Sequence, residues 1–374
     1  MKNVLTLSAF DGVPSGHGGE KRTLQVVNVV KDHADRHEHA RMATDFDFHK
    51  PVSLSNKIIH SPSVPAVLLA SRCCRQSWSV NDILSESHRY FLQNRWVDQN
   101  EGLFTSITTV VWENNYRDFF YLPYLIKKHR GMKVIGCPQN IESLVPGSDV
   151  EKFDGKKSLL LQKELEAFAQ CDLVFTISEE DQWLLNLLGI PAGYLPFFPT
   201  GELLTQTQAL RERRLQEGTK DFFLILGSVW NPPTFSGMHK LLQDLETISS
   251  STSRRFKVAG YGTEAFREQF KASSHIEIVG AVSQGDLTGL MEDCSSMIIN
   301  QGYSTGALTK VPEVLLAGVP MMMNAGAARS YRRLDGVYVY ESKDELADLL
   351  KVNFPIPAAP KVPSEHYKRF VQAL

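Results

Sequence analysis

The segment whose residue types and spacing best suit chemistry runs Asn300-Gln301-Gly302-Tyr303-Ser304-Thr305-Gly306-Ala307-Leu308-Thr309-Lys310-Val311-Pro312-Glu313. Pro312 fits a first helical turn, and an acid there is favoured by the helix dipole, so the sequence predicts a helix starting close to Lys310. Lys310, Glu313 and the free N–H groups of that first turn then cluster. A lysine at a helix start suits a diphosphate, and a carboxylate three residues on suits a diol such as ribose. The same pair also reads as a solvated cation and a helix-stabilising acid.

Three glycine-bearing turns offer further anion contacts. Gly12-Val13-Pro14-Ser15-Gly16-His17-Gly18-Gly19-Glu20-Lys21-Arg22 follows an apolar run and precedes a helical one. Glycines let backbone N–H groups approach a phosphate or sugar closely. The turn lacks the G-K-[ST] ending of a Walker loop and the spacing of G-x-G-x-x-G, and a flexible surface loop is the lesser alternative. Leu226-Gly227-Ser228-Val229-Trp230-Asn231-Pro232-Pro233 and Gly260-Tyr261-Gly262 each end an apolar run. Ligands of open α/β sheets bind outside the carboxyl ends of strands, where both turns would face one crevice.

The elements that must hold these turns alternate. Short apolar runs at 4–10, 106–112, 133–136 and 173–177 are separated by helical stretches that include 24–31 and 159–169. After the polar segment 200–220, the best candidate for a linker, come runs at 222–227, 256–260, 276–279, 296–300 and 319–324. Such alternation predicts parallel sheets covered on both faces, and 374 residues suffice for two domains. Residues 45–100, rich in Ser, His, Arg and Trp, carry no clear period and read as insertions facing an acceptor.

From about Gly227 to Pro320 the chain resembles the donor domain of glycosyltransferase family four and related retaining GT-B enzymes. The likeness rests on Gly227-Ser228, on Val258-Ala259-Gly260-Tyr261-Gly262, on Ile278-Val279-Gly280, on Gly306 through Lys310 to Glu313, and on Gly318-Val319-Pro320. More weakly, Gly18-Gly19-Glu20, Gln139-Asn140-Ile141-Glu142 and 169–181 extend it over nearly the whole chain. Two positions depart: Thr305 stands eight residues before Glu313, where many members carry a carboxylate, and Gln139 stands where an H-N-I-E segment has histidine.

The resemblance implies an α/β GT-B fold, two facing Rossmann-like doubly wound domains with a cleft between them. Residues 1–200 would form the acceptor-binding domain and 201–374 the nucleotide-sugar donor domain, the last helix returning to the first. It implies transfer of a hexosyl group from a nucleoside-diphosphate sugar to a saccharide or glycoconjugate hydroxyl, with retention and without cofactor or metal. Lys310 would hold the donor phosphates and Glu313 the ribose, with Gly19 completing the catalytic set. Gly18, Gly227, Ser228, Gly260, Gly262, Val282, Gly306 and Thr309 would line the donor. A sugar-nucleotide epimerase, an inverting transferase and a catalytically silent binding protein remain open on the same architecture.

Composition excludes several other classes. Forty Lys plus Arg nearly balance forty-two Asp plus Glu, so no global field favours nucleic acid or anionic lipid. Five cysteines, only Cys73 and Cys74 adjacent, make neither a disulfide framework nor a metal set, which suits a reducing compartment and a cytoplasmic protein. The apolar start reads as a strand, no run approaches the ~18–20 apolar residues of a membrane span, and attachment to a membrane would be peripheral. Asp45-Phe46-Asp47 lacks the setting of a metal-binding D-x-D, and His37 and His39 read as exposed. The aromatic-basic stretches 90–96 and 116–126 read chiefly as core, with contact to a lipid-linked acceptor or saccharide as the functional alternative.

Overall fold

The computed structural model describes residues 1–42, 53–70, 79–113, 119–147, 157–218, 222–249 and 254–374. The string Asp45-Phe46-Asp47, the pair Cys73-Cys74 and residues 116–118 lie outside them. The chain forms two compact units. The first comprises Met1–Val13, Arg22–Pro196 and Pro363–Leu374, the second Pro14–Lys21 and Phe197–Val362.

The first unit holds strands β1 (Asn3–Ser8), β2 (Arg36–Arg41), β3 (Thr109–Trp112), β4 (Lys133–Gly136), β5 (Leu173–Thr176) and β6 (Ala192–Tyr194). They form one parallel sheet in the order β2-β1-β3-β4-β5-β6. Two apolar clusters cover it. One contains Leu5, Val110 and Val134, the other Val4, Val111 and Ile135, so the alternation along each strand feeds both faces. Helix Ser364–Ala373 closes the second cluster with Phe370 and Leu374, and Thr109 donates to the Leu374 carbonyl at 3.0 Å.

Three parts of this unit differ from the sequence reading. His37 and His39 are half-buried on edge strand β2, where their Nε2 atoms lie 3.1 Å from Thr6 Oγ1 and 2.8 Å from Ser8 Oγ. Burial, with the charges of His39 and Lys31, lowers the His37 pKa to about 4. Residues 45–100 are not all irregular: Val80–Gln99 is a helix, opened by a capping box between Ser79 and Asp82. Its buried face includes Glu86, Ser87 and Gln93, and these polar residues hid the helical period. Tyr90, Trp96, Phe119, Phe120 and Tyr121 are core.

The second unit holds β7 (Phe223–Leu226), β8 (Phe256–Ala259), β9 (Ile276–Gly280), β10 (Ser296–Ile299), β11 (Met321–Asn324) and β12 (Val337–Tyr340). The parallel sheet runs β12-β11-β10-β7-β8-β9. Clusters around Leu224, Met297 and Val314 on one face and Phe223, Ile298 and Leu242 on the other bury it, which explains why β7, β10 and β11 read as unbroken apolar runs.

The polar segment 200–220 is not a linker over its described length. Gly201–Glu217 is a helix that buries Leu203, Thr207, Leu210 and Arg214, spaced four, three and four apart. Arg214 gives Nη1 to the carbonyls of Met291 (2.6 Å), Glu292 (2.7 Å) and Cys294 (2.9 Å) and Nε to that of Gly318 (3.2 Å). A guanidinium in the buried stripe made the helix look solvent-facing. Among the described residues no helix is long and apolar enough to cross a membrane.

Candidate functional site

In the second unit the chain lays down β7, β8 and β9 in one direction and then returns with β10 to the other side of β7. The carboxyl ends of β7 and β10 therefore flank a topological switch point, the place where open α/β sheets bind ligands. The turns singled out from the sequence meet there. Gly227 and Ser228 follow β7, Gly260 and Gly262 follow β8, Asn300 and Gln301 follow β10.

Glycine is required for the closest of these approaches. Gly260 has φ +126°, and a Cβ on it would lie 2.0 Å from the Gly227 carbonyl oxygen, so two turns touch through bare backbone. Gly237 likewise lets helix Pro232–Ser249 press against β10, since its Cβ would stand 2.3 Å from the Asn300 carbonyl oxygen. Asn324, at the end of β11, ties the next turn down. Its Oδ1 accepts from Gln301 N at 3.0 Å and its Nδ2 donates to Gln301 O at 2.9 Å.

Helix Lys310–Leu316 begins at the expected residue and carries Pro312 in its first turn. Lys310 donates to the Leu226 carbonyl at 2.9 Å, which fixes its ammonium beside Gly227: a Cβ built there would lie 3.8 Å from Nζ. Burial, then the charge of Lys21, lowers the Lys310 pKa to about 8, while Glu313 acts the other way. Lys310 also lines a recess with Leu226, Thr234, Met238 and Gln301. Gln301 is 7% exposed and its Oε1 has no hydrogen-bond partner among the described residues. The helix has seven residues, so its dipole is short and the Lys310 charge is the main attraction for an anion.

Glu313 is not a solvated helix-stabilising acid. It is 8% exposed, and both its oxygens accept from Lys21 Nζ, at 2.9 and 2.7 Å. Lys21 lies in the Pro14–Lys21 segment that clusters with the second unit. The same segment brings Gly18 against Thr309, where a Cβ on Gly18 would fall 2.7 Å from Thr309 Oγ1. Gly19 N donates to His17 Nδ1 at 3.1 Å, inside the turn. Gly306, with φ +70°, gives its carbonyl to Arg329 Nη2. Val282 is half-buried and packs against the core, and Thr305 is half-buried in the turn before Lys310.

The structure thus brings Lys310, Glu313 and the glycine turns together and adds Lys21, Gln301 and Asn324, which the sequence analysis did not single out as their partners. Lys21 stood inside the quoted glycine turn, but nothing local ties it to a carboxylate 292 positions away. In the first unit, Gln139 follows β4, and Glu142 begins a short 3-10 turn whose N–H groups bind Glu164.

No family model matches the chain, and no curated protein sequence matches it. Solved structures do. A sucrose-phosphate synthase from Thermosynechococcus elongatus is 12% identical, with 100% of this chain and 95% of that one covered at a TM-score of 0.63. HepE from Anabaena, solved with UDP and glucose, is 14% identical over 94% of this chain and 89% of its own, at a TM-score of 0.56. A UDP-GlcNAc 2-epimerase from Methanocaldococcus jannaschii is 10% identical over 100% and 99%, at a TM-score of 0.52. At such identities the likeness is one of fold: the chain has the GT-B fold of two Rossmann-like doubly wound domains.

Proposed function

We propose that this chain is a glycosyltransferase that takes a nucleoside-diphosphate sugar as donor and passes the sugar, with retention, to a carbohydrate-type hydroxyl, in the manner of retaining glycosyltransferase family four. The observation that carries the proposal is the seat of Lys310, an ammonium held on the Leu226 carbonyl at the switch point of a Rossmann-like sheet, next to the bare backbone of Gly227. A cation fixed there stabilises the negative charge that develops as the diphosphate leaves, which is where catalysis by such an enzyme needs it. Gly227, Ser228, Gly260 and Gly262 leave room for the nucleotide, and Glu313 receives its ribose.

HepE, solved with UDP and glucose, and the sucrose-phosphate synthase support a sugar-nucleotide reading for a chain of this fold. No metal is assigned a role, because Lys310 supplies the positive charge. The free buried thiols of Cys137, Cys171 and Cys294 suit a reducing compartment and so support a cytoplasmic reaction.

The test is incubation with UDP-, GDP- and ADP-sugars and a panel of saccharide acceptors, with and without EDTA, assayed for free nucleoside diphosphate and for extended glycan. Diphosphate with extended glycan, undiminished by EDTA, is the expected result. A new sugar nucleotide with no diphosphate released would replace the proposal by an epimerase, for which the 2-epimerase of the same fold is the precedent. Binding without turnover would make the chain a silent member.

A further inference from the structure

The proposed reaction does not by itself account for the ion pair between Lys21 and Glu313. Both side chains are largely out of water, at 13% and 10% exposure, and the lysine reaches both carboxylate oxygens. Lys310 lies close enough that the Lys21 charge disfavours its protonated form. Two ammonium groups and one carboxylate thus share this corner of the second unit, an excess of one positive charge in a partly desolvated place. Such an excess costs free energy unless an anion completes it.

The position of Lys21 makes it available to that anion. It ends the glycine-rich Pro14–Lys21 segment, whose Gly18 abuts Thr309, the residue before Lys310. Lys310 has committed one of its three N–H donors to the Leu226 carbonyl, and among the described residues the Lys21 ammonium is held by the Glu313 carboxylate.

We propose that Lys21 is a second cationic ligand of the diphosphate, and that Glu313 serves as its stand-in counter-ion while the site holds no donor. This rests on the proposed donor site and deepens it. When the diphosphate arrives, Lys21 turns from the carboxylate to the phosphate oxygens, and the released carboxylate accepts hydrogen bonds from the ribose hydroxyls. Lys21 and Glu313 each keep a polar partner before and after the exchange, so neither is left buried and unpaired when the diphosphate arrives. The exchange also makes capture of the diphosphate and capture of the ribose mutually dependent, because one frees the group that performs the other.

Inorganic pyrophosphate tests this without a sugar, a base or turnover. Calorimetric titration of the full chain should show Lys21→Ala weakening pyrophosphate about tenfold or more, the scale of a charge-assisted hydrogen bond lost. Lys21→Arg should restore most of the affinity. Glu313→Gln should tighten pyrophosphate several-fold by releasing Lys21, and that gain should disappear in Lys21→Ala/Glu313→Gln, because it is exerted through the lysine. A gain of equal size with and without Lys21 would mean simple repulsion by the carboxylate and would overturn the exchange. So would pyrophosphate affinity within twofold of the parent in Lys21→Ala, or no measurable binding by the parent itself. Should Lys21→Ala fail to fold by circular dichroism, Lys21→Met takes its place in the cycle. A coupled pyrophosphate response with no turnover of any nucleotide sugar would retain the Lys21 site and refute the transferase. Turnover with no effect of Lys21 substitutions on either ligand would do the reverse.

Discussion

Both units bury ionisable side chains, but for different ends. In the first, Glu86 is 3% exposed and bound by Lys163, by Arg89 and by the Tyr121 hydroxyl at 2.8 Å, which knits three helical segments together. Glu164, fully buried, accepts from Glu142 N, Ser143 N and Ser143 Oγ and so fixes the turn after β4. These groups are saturated by the protein and sit within the fold. In the second unit Lys310, Glu313 and Lys21 gather at the carboxyl edge of the sheet, where they carry an excess of charge. A buried ionisable group whose bonds the protein satisfies reads as architecture; a charge left in excess at a strand's carboxyl edge reads as a site awaiting an anion.

That contrast can be broken most forcefully in the first unit. Lys163→Met strands the Glu86 carboxylate in the interior with one cation fewer, and breaking a buried pair costs about 3–5 kcal/mol. Denaturant unfolding should show a loss of that size. A loss below about 1 kcal/mol would mean that the Glu86 cluster does not hold the unit.

In the second unit the corresponding substitution should spare the fold and harm the chemistry. Lys310→Ala is expected to lower turnover by about ten- to a hundredfold, more than it weakens donor binding, because its charge matters most as the diphosphate departs. Steady-state kinetics beside circular dichroism would check it. Turnover within a factor of about two of the parent would remove Lys310 from the mechanism.

The smallest effect is one of pH, and it should have opposite signs in the two units. Burial raises the Glu164 pKa from 4.5 to about 8, with the Ser143 hydrogen bonds pulling it down and the Glu142 charge pushing it up. The folded first unit therefore keeps a proton that the unfolded chain gives up above about 4.5, and this group's contribution falls as pH rises from there to about 8. For Lys310, lowered from 10.5 to about 8, the unfolded chain binds the extra proton, so its contribution improves between about pH 8 and 10.5. Hydrogen exchange, corrected for its intrinsic pH dependence, should show protection falling from pH 6 to 8 in helix Lys157–Gln170 and rising from pH 8 to 10 in helix Lys310–Leu316. Replacing Glu164 by Gln or Lys310 by Met should flatten the respective trend. Slopes of the same sign in both helices would undo the comparison.

What the sequence alone determined is what short stretches of chain determine. Strands buried on both faces are mostly apolar, so β4, β7, β8 and β10 were legible to within a residue or two, as were the glycine turns after β7 and β8. The spacing of Lys310, Pro312 and Glu313 sufficed for a helix start and two juxtaposed charges, because three residues make nearly one turn. Polar residues inside elements concealed the rest: β2 reads Arg-His-Glu-His-Ala-Arg, and the stripe of helix Gly201–Glu217 contains a buried arginine. Only the tertiary structure decided that β10 returns to the open side of β7, creating the switch point, and that Lys21 closes on Glu313 across 292 positions. Neither can be read locally, since which distant side chains meet depends on the path of the whole chain, whereas a strand or a helical turn depends on residues a few places apart.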